Sequence, residues 1–316
     1  MSARLVSALL IGLAACAGPR IPASPLIPPP AAAHQGPVLQ PCVLLHQAFE
    51  ADRSAALDDG GDGKAKMEFA TILLRHPVQG VVLIDPGVGK EKAHDFGELP
   101  WLMRRQVGDG SQAVALGDLL TGIGVAPESV KTALITHFHY DHLGGATDIP
   151  AAQLFSREPD LEWSGHARTL LFYQTMPHDQ VDRIRSQVKV FKTDGPPYEG
   201  FAGSFDVFGD GSIVGVPTPG HTPGSTSWFV NSGDGRRWLF VGDAAWLMEG
   251  IRKPSHKGWQ GRRVDDDADA NSETLARLHA LQLARPVTTP PDGRGVQVIT
   301  AHDPEGLRLL PMCAKP

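Results

Sequence analysis

Residues 136–145 read Thr136-His137-Phe138-His139-Tyr140-Asp141-His142-Leu143-Gly144-Gly145. They directly follow the apolar run Ala133-Leu134-Ile135, which has the composition of a buried strand. The strand therefore ends by presenting His137, His139, Asp141 and His142 in a loop at its C-terminal edge, where α/β sheets place ligand sites. Imidazole nitrogen and carboxylate oxygen are the donor set that suits zinc and its neighbours. His137 and His139 alternate, as residues on one side of an extended segment do. Asp141 and His142 must then turn toward a second position. One ion could hardly accept all four donors from so short a loop without strain, so two metals are the natural reading.

Further ligands are expected at later strand ends. His221 sits in the turn-rich stretch Thr218-Pro219-Gly220-His221-Thr222-Pro223-Gly224-Ser225, after the apolar run 213–216. Asp243 follows Leu239-Phe240-Val241-Gly242, and His302 follows the run 296–301. Each is a metal-competent side chain just past a strand-like segment. Singly, each reads as an ordinary loop residue; with the first cluster they complete two coordination spheres.

The body around these residues alternates strands with helices. Short β-rich runs fall at 69–74, 81–84, 132–136, 188–191, 204–208, 213–216, 226–230, 238–241 and 296–300, most of them followed by Gly, Pro or Asp. Helical patterns fall at 113–123, 179–187 and 272–284, the last with Ser272 as its expected N-cap. The mixture predicts an α/β protein with layers of helices around sheets. The stretch Asp58-Asp59-Gly60-Gly61-Asp62-Gly63-Lys64 lacks a carboxylate at the closing position of a calcium loop, and reads as a hairpin turn. Asp265-Asp266-Asp267 reads as a solvated acidic loop.

The sequence resembles the metallo-β-lactamase-fold hydrolase superfamily over residues 43–310. The likeness is carried by the His-x-His-x-Asp-His loop at His137–His142, by the later His221, Asp243 and His302, and by Leu83-Ile84-Asp85-Pro86-Gly87. It implies an αβ/βα four-layer sandwich with the site along one edge. It further implies that His137, His139 and His221 hold one metal, that Asp141, His142 and His302 hold a second, and that Asp243 bridges them. The implied cofactors are two divalent metal ions, zinc foremost. Within the superfamily the chain is most similar to the N-acyl homoserine lactonases and their phosphotriesterase-like relatives. Those lactonases commonly place a Tyr three residues after the bridging Asp, against the substrate carbonyl or leaving group; this sequence has Trp246, whose indole donates one hydrogen bond and cannot act as an acid.

The resemblance implies a hydrolase in which a metal-bridging hydroxide opens a lactone or cleaves a related ester, with Asp243 and Asp141 as catalytic carboxylates. Phosphotriesterase-like, glyoxalase II-like thioesterase and β-lactamase activities are the alternatives within this class. A non-catalytic metal-binding envelope lipoprotein is the alternative outside it. Trp246, Tyr140 and Phe138 are the expected substrate contacts; Phe172, Tyr173, His166 and His178 lie in the same insertion between ligands. No Gly-x-Ser-x-Gly elbow competes with the metals as a source of nucleophile.

Composition excludes several classes, and the N-terminus reads as an export signal. The chain has 316 residues, 29 Lys+Arg against 35 Asp+Glu, a net charge of −6, and 41% hydrophobic residues. The apolar fraction excludes a disordered protein, and the acidity argues against nucleic acid as a partner. No apolar run of about 20 residues could span a bilayer. Residues 1–15 read as a signal peptide, and Leu13-Ala14-Ala15-Cys16 resembles a bacterial lipobox that would lipidate Cys16 and leave the protein on the periplasmic side of the cell envelope. An ordinary signal peptide and a soluble periplasmic protein are the alternative. Residues 16–42 carry eight prolines and read as an extended tether without means of packing, and 43–316 as the hydrolase domain. Cys42 and Cys313 flank that domain; an oxidising compartment permits them to pair, and two unrelated thiols are the alternative.

Overall fold

In the computed structural model of the chain, residues 20–28, 36–166 and 179–315 are described. Their strands form two sheets. The first contains β1 (Cys42–Asp52), β2 (Lys64–His76), β3 (Gly80–Ile84), β4 (Thr132–Leu134), β5 (Gln153–Arg157) and β6 (Val188–Phe191), paired in chain order. It is antiparallel from β1 to β3 and parallel from β3 to β6. The second contains β7 (Phe205–Asp206), β8 (Ile213–Pro217), β9 (Thr226–Asn231), β10 (Arg237–Phe240) and β11 (Gln297–Ile299), in the order 11-10-9-8-7. Only its β10–β11 pair is parallel.

Strand alternation builds the layers. Ile72, Leu74, Val82, Ile84 and Leu134 point from the first sheet into a core shared with Trp228, Val230, Trp238, Phe240 and Ile299 of the second. The intervening Leu73, Leu83 and Ala133 point the other way, onto Leu116 and Leu120 of helix Leu116–Gly122 and Ile184 of helix Gln180–Ile184. On the second sheet Phe229, Leu239 and Val298 face outward onto Leu275, Leu278 and Leu281 of helix Ala268–Ala284. Strands buried on both faces need apolar residues at every position, and these have them. The result is the expected αβ/βα sandwich.

Two strands are absent from the sequence reading. β1 carries a register shift between Leu45 and Gln47 that breaks its alternation, and β5 is five residues long. Helix Ala268–Ala284 starts one turn earlier than expected: Asp267 is its cap, accepting from Asp269 N and Ala270 N, while Ser272 bonds back to Ala268 O. The Asp58–Lys64 stretch leads, as expected, into the strand of a hairpin, with Asp52 paired to Lys64 across it.

The described parts of the proline-rich segment, residues 20–28 and 36–42, do pack, against expectation. Leu39 is fully buried and its amide donates to Ser232 Oγ at 2.9 Å. Ile21 and Ile27 lie on the outer core of the second sheet. Prolines lack an N–H but keep a carbonyl. Pro37 O accepts from Gly233 N at 2.9 Å, and Pro28 O accepts from Arg285 Nη2. Cys42 and Cys313 are joined in a disulfide, and Val43 and Met312 pair beside it. Residues 1–15 and Cys16 lie outside the described residues. Among the described residues no helix is long and apolar enough to cross a membrane.

Candidate metal centre

β3 and β4 end side by side, and their ends organise the histidine loop. Asp85 follows β3 with a positive φ of 52°. Its carboxylate accepts from Thr136 N at 2.7 Å and Thr136 Oγ1 at 2.7 Å, and lies 2.8 Å from His142 Nδ1. One helical turn, Tyr140–Leu143, carries Asp141 and His142 away from His137 and His139. In the second sheet Gly242 lies two residues past the end of β10; its φ is 53°, and a Cβ there would stand 2.7 Å from Thr136 Oγ1. Only glycine lets the two sheet ends meet there, and the meeting delivers Asp243 to the histidines.

His137 Nε2, His139 Nδ1 and His221 Nε2 stand 2.9–3.2 Å from one another. Across from them, Asp141 Oδ2 lies 3.5 Å from His142 Nε2 and 3.4 Å from His302 Nε2. Asp243 stands between the groups. Its Oδ2 is 3.5 Å from His221 Nε2, and its Oδ1 is 3.4 Å from His142 Nε2 and 3.0 Å from His302 Nε2. The seven expected side chains therefore converge, and all are buried.

The donors fit divalent cations. Three ring nitrogens this close match the edge of a tetrahedron with bonds of about 2.0 Å, which is about 3.3 Å. His142 Nε2 and Asp243 Oδ1 are buried and have no hydrogen-bond partner among the described residues. The outward nitrogens are held: His137 Nδ1 by Thr136 Oγ1 at 3.0 Å, His142 Nδ1 by Asp85, His302 Nδ1 by Glu68 O at 2.9 Å and His221 Nδ1 by Asp265 Oδ1 at 2.7 Å. Such outer contacts fix ring orientation in metal sites.

Charge follows the same division. Burial, aided by the neighbouring rings, holds the imidazoles of His137 and His139 well below their ordinary pKa, keeping them neutral. Burial also opposes protonation of His142 and His302. There the carboxylates win: Asp141, Asp85 and Asp243 raise His142, and Asp243 and Asp141 raise His302. Burial opposes ionisation of Asp243 too, but His302 and His142 outweigh it and pull its carboxyl well below the usual range. A field that draws protons onto two rings draws a cation equally well.

Lys257 escaped the sequence reading, which gave Asp85 only as part of a strand-turn motif and Asp265 only as part of an acidic loop. Asp85 has no partner visible in sequence. Asp265 belongs to a run of three aspartates, yet its side chain is fully buried against His221, so the acidic loop is not simply solvated. Lys257 is equally buried, with Nζ 2.6 Å from Asp265 Oδ1. No periodic signal marks either one.

The expected substrate contacts are placed differently. Phe138 is fully buried in the helix-side core of the first sheet. Tyr140 is 4% exposed and packs edge-on against Phe96 and Phe69, with ring centroids 5.2 and 6.0 Å away. Trp246 is half-buried and donates Nε1–H to Asp243 Oδ2 at 2.7 Å. Phe172, Tyr173 and His178 lie outside the described residues, as does the side chain of His166.

Known proteins resemble this chain in sequence and fold. Residues 70–288 match the family described as the metallo-beta-lactamase superfamily. A "Probable metallo-hydrolase" of Mycobacterium bovis is 31% identical over 245 residues, covering 75% of this chain and 76% of that protein. N-acyl homoserine lactonase AttM of Azorhizobium caulinodans is 26% identical over 255 residues, covering 78% and 85%. Among solved structures, a quorum-quenching N-acyl homoserine lactone lactonase superposes with a TM-score of 0.63 at 16% identity, covering 88% of this chain and 98% of that one. AidC, a dizinc quorum-quenching lactonase, superposes with a TM-score of 0.57 at 16% identity, covering 88% and 91%. With its fold, its histidine and aspartate cluster and a family match over most of its length, the chain belongs to the metallo-beta-lactamase superfamily.

Proposed function

We propose that this metallohydrolase holds two divalent cations, zinc foremost, and opens a lactone or cleaves a related ester. The observation that carries the reading is Asp243, whose two oxygens face the two histidine groups separately. His137, His139 and His221 would hold one ion, and Asp141, His142 and His302 the other. When bound, such a pair supplies a Lewis acid for the acyl oxygen and hydroxide at neutral pH. The chain's part is to fix the donors, exclude bulk water and manage protons. Asp243, which accepts from Trp246 Nε1, would orient the attacking water and carry its proton to the leaving group. The lactonase relatives favour an acyl over a phosphoryl substrate.

Metal analysis and a substrate panel test this. We expect about two equivalents of transition metal per chain, and faster turnover of acyl lactones than of aryl esters, phosphotriesters, thioesters or a cephalosporin. Asp243→Asn should remove most of the activity; a variant with the parent rate would refute the bridging role. Metal-loaded protein inert on every substrate would favour the envelope-lipoprotein reading. We also propose lipid anchoring at Cys16, with export to the periplasmic side. Cys16→Ala should move the protein from the membrane fraction to the soluble one, and a parent protein already soluble would refute the anchor.

A further inference from the structure

Lys257 is 1% exposed, an unusual state for an ammonium. Its Nζ makes three contacts, one of them directly with His221 Nδ1 at 3.5 Å. Nζ lies 2.6 Å from Asp265 Oδ1, which itself lies 2.7 Å from His221 Nδ1. The same Nζ stands 5.7 Å from the ring centroid of Trp246, whose Nε1–H donates to Asp243 Oδ2 at 2.7 Å. The two arms converge again at the centre, where His221 Nε2 and Asp243 Oδ2 are 3.5 Å apart. Lys257, Asp265, His221, Asp243 and Trp246 thus form a closed circuit.

We propose that Lys257 is a positioning residue that sets His221 through Asp265 and Asp243 through Trp246. This rests on the metal-centre reading above. A carboxylate beside His221 Nδ1 requires the proton on that nitrogen, so the Nε2 lone pair faces His137 and His139. An ammonium beside the carboxylate keeps it a pure acceptor and fixes where its oxygen sits. A cation over the indole face holds the ring that donates to Asp243. Gly261 makes room for the arrangement: a Cβ there would stand 3.0 Å from both the Lys257 Cβ and the Trp246 ring. His137 and His139 come from one loop and need no brace between distant segments. His221 and Asp243 come from separate strand ends, and Lys257 ties them together.

The competing account is a buried ion pair that serves folding alone. The variants Asp265→Asn and Lys257→Met/Asp265→Asn separate the two. Zinc affinity is measured by competition with a chromophoric chelator, the cobalt(II) absorption spectrum reports donor geometry, and melting of the metal-free protein reports folding. Asp265→Asn should weaken the binding of one zinc by about 10- to 100-fold and alter the cobalt spectrum. The double variant leaves no buried charge unpaired, so its melting should recover toward the parent while zinc affinity stays low. A double variant that binds both zinc ions as tightly as the parent would overturn the proposal. A parent protein that binds no zinc would overturn the metal-centre reading itself.

Discussion

The indole N–H of Trp246 is directed at Asp243 Oδ2, 2.7 Å away. An indole has one donor, and here it is spent on the protein's own carboxylate. The ring therefore stabilises the carboxylate that spans the two histidine groups. Trp246→Phe keeps the bulk and deletes the donor. A hydrogen bond to a buried charge contributes about 1.5–3 kcal/mol. We expect kcat/KM at matched metal content to fall about 10- to 100-fold, carried by kcat. A fall in KM-type binding alone, with kcat intact, would place Trp246 against the substrate.

Stripping the metals should cost stability as well as activity. The neutral nitrogens of His137, His139 and His221 crowd within 3.2 Å, an arrangement that favours a cation between them. A ligand present at 100 times its dissociation constant stabilises the folded state by about 2.7 kcal/mol. Chelation should therefore abolish hydrolysis and lower the melting temperature, and zinc should restore both. Calorimetry with and without zinc checks this.

His46 supplies a pH signature away from the centre. Burial lowers its pKa from 6.5 to about 4, against the pull of the Val114 carbonyl. Nδ1 donates to Val114 O at 2.7 Å, and Nε2 lies 2.9 Å from Thr71 Oγ1. A depressed folded pKa means that the unfolded chain binds the proton first. The contribution is complete above pH 6.5 and is lost as pH falls from 6.5 through 4. Its full size is on the order of 3 kcal/mol. His46→Gln should be less stable at pH 7 but lose less between pH 6.5 and 4, as read by denaturant titration at several pH values.

Leu39 and the Cys42–Cys313 disulfide should behave as parts of the body. Leu39→Ala removes a fully buried side chain and should cost about 2–4 kcal/mol, where a free tether would cost nothing. Replacing both cysteines with serine should cost about 2–5 kcal/mol. Urea unfolding of the two variants measures each.

The sheets and the seven clustered side chains were legible because each leaves a local signature. Short β-rich apolar runs marked most strands, and donors just past those runs marked the site. Where the signature failed, the cause was non-local. The bulge after Leu45 interrupts β1, so period-two reading misses it. Asp265 holds His221, 44 residues before it in sequence, and Lys257 enters the centre through that contact. Leu39 and Ile27 sit among prolines, which advertise an extended chain but say nothing about the surface it lies on. Phe138 and Tyr140 flank the metal-binding positions in sequence, yet their side chains alternate into the core.

The Pro28 carbonyl lies beside Arg285, just past the C-terminal end of helix Ala268–Ala284. The other end of that helix meets the His221 loop, where Asp267 N donates to Gly220 O at 2.9 Å. A helix of 17 residues is about 25 Å long. The helix therefore acts as a strut that keeps the Pro28 contact and the His221 loop at opposite ends of its length.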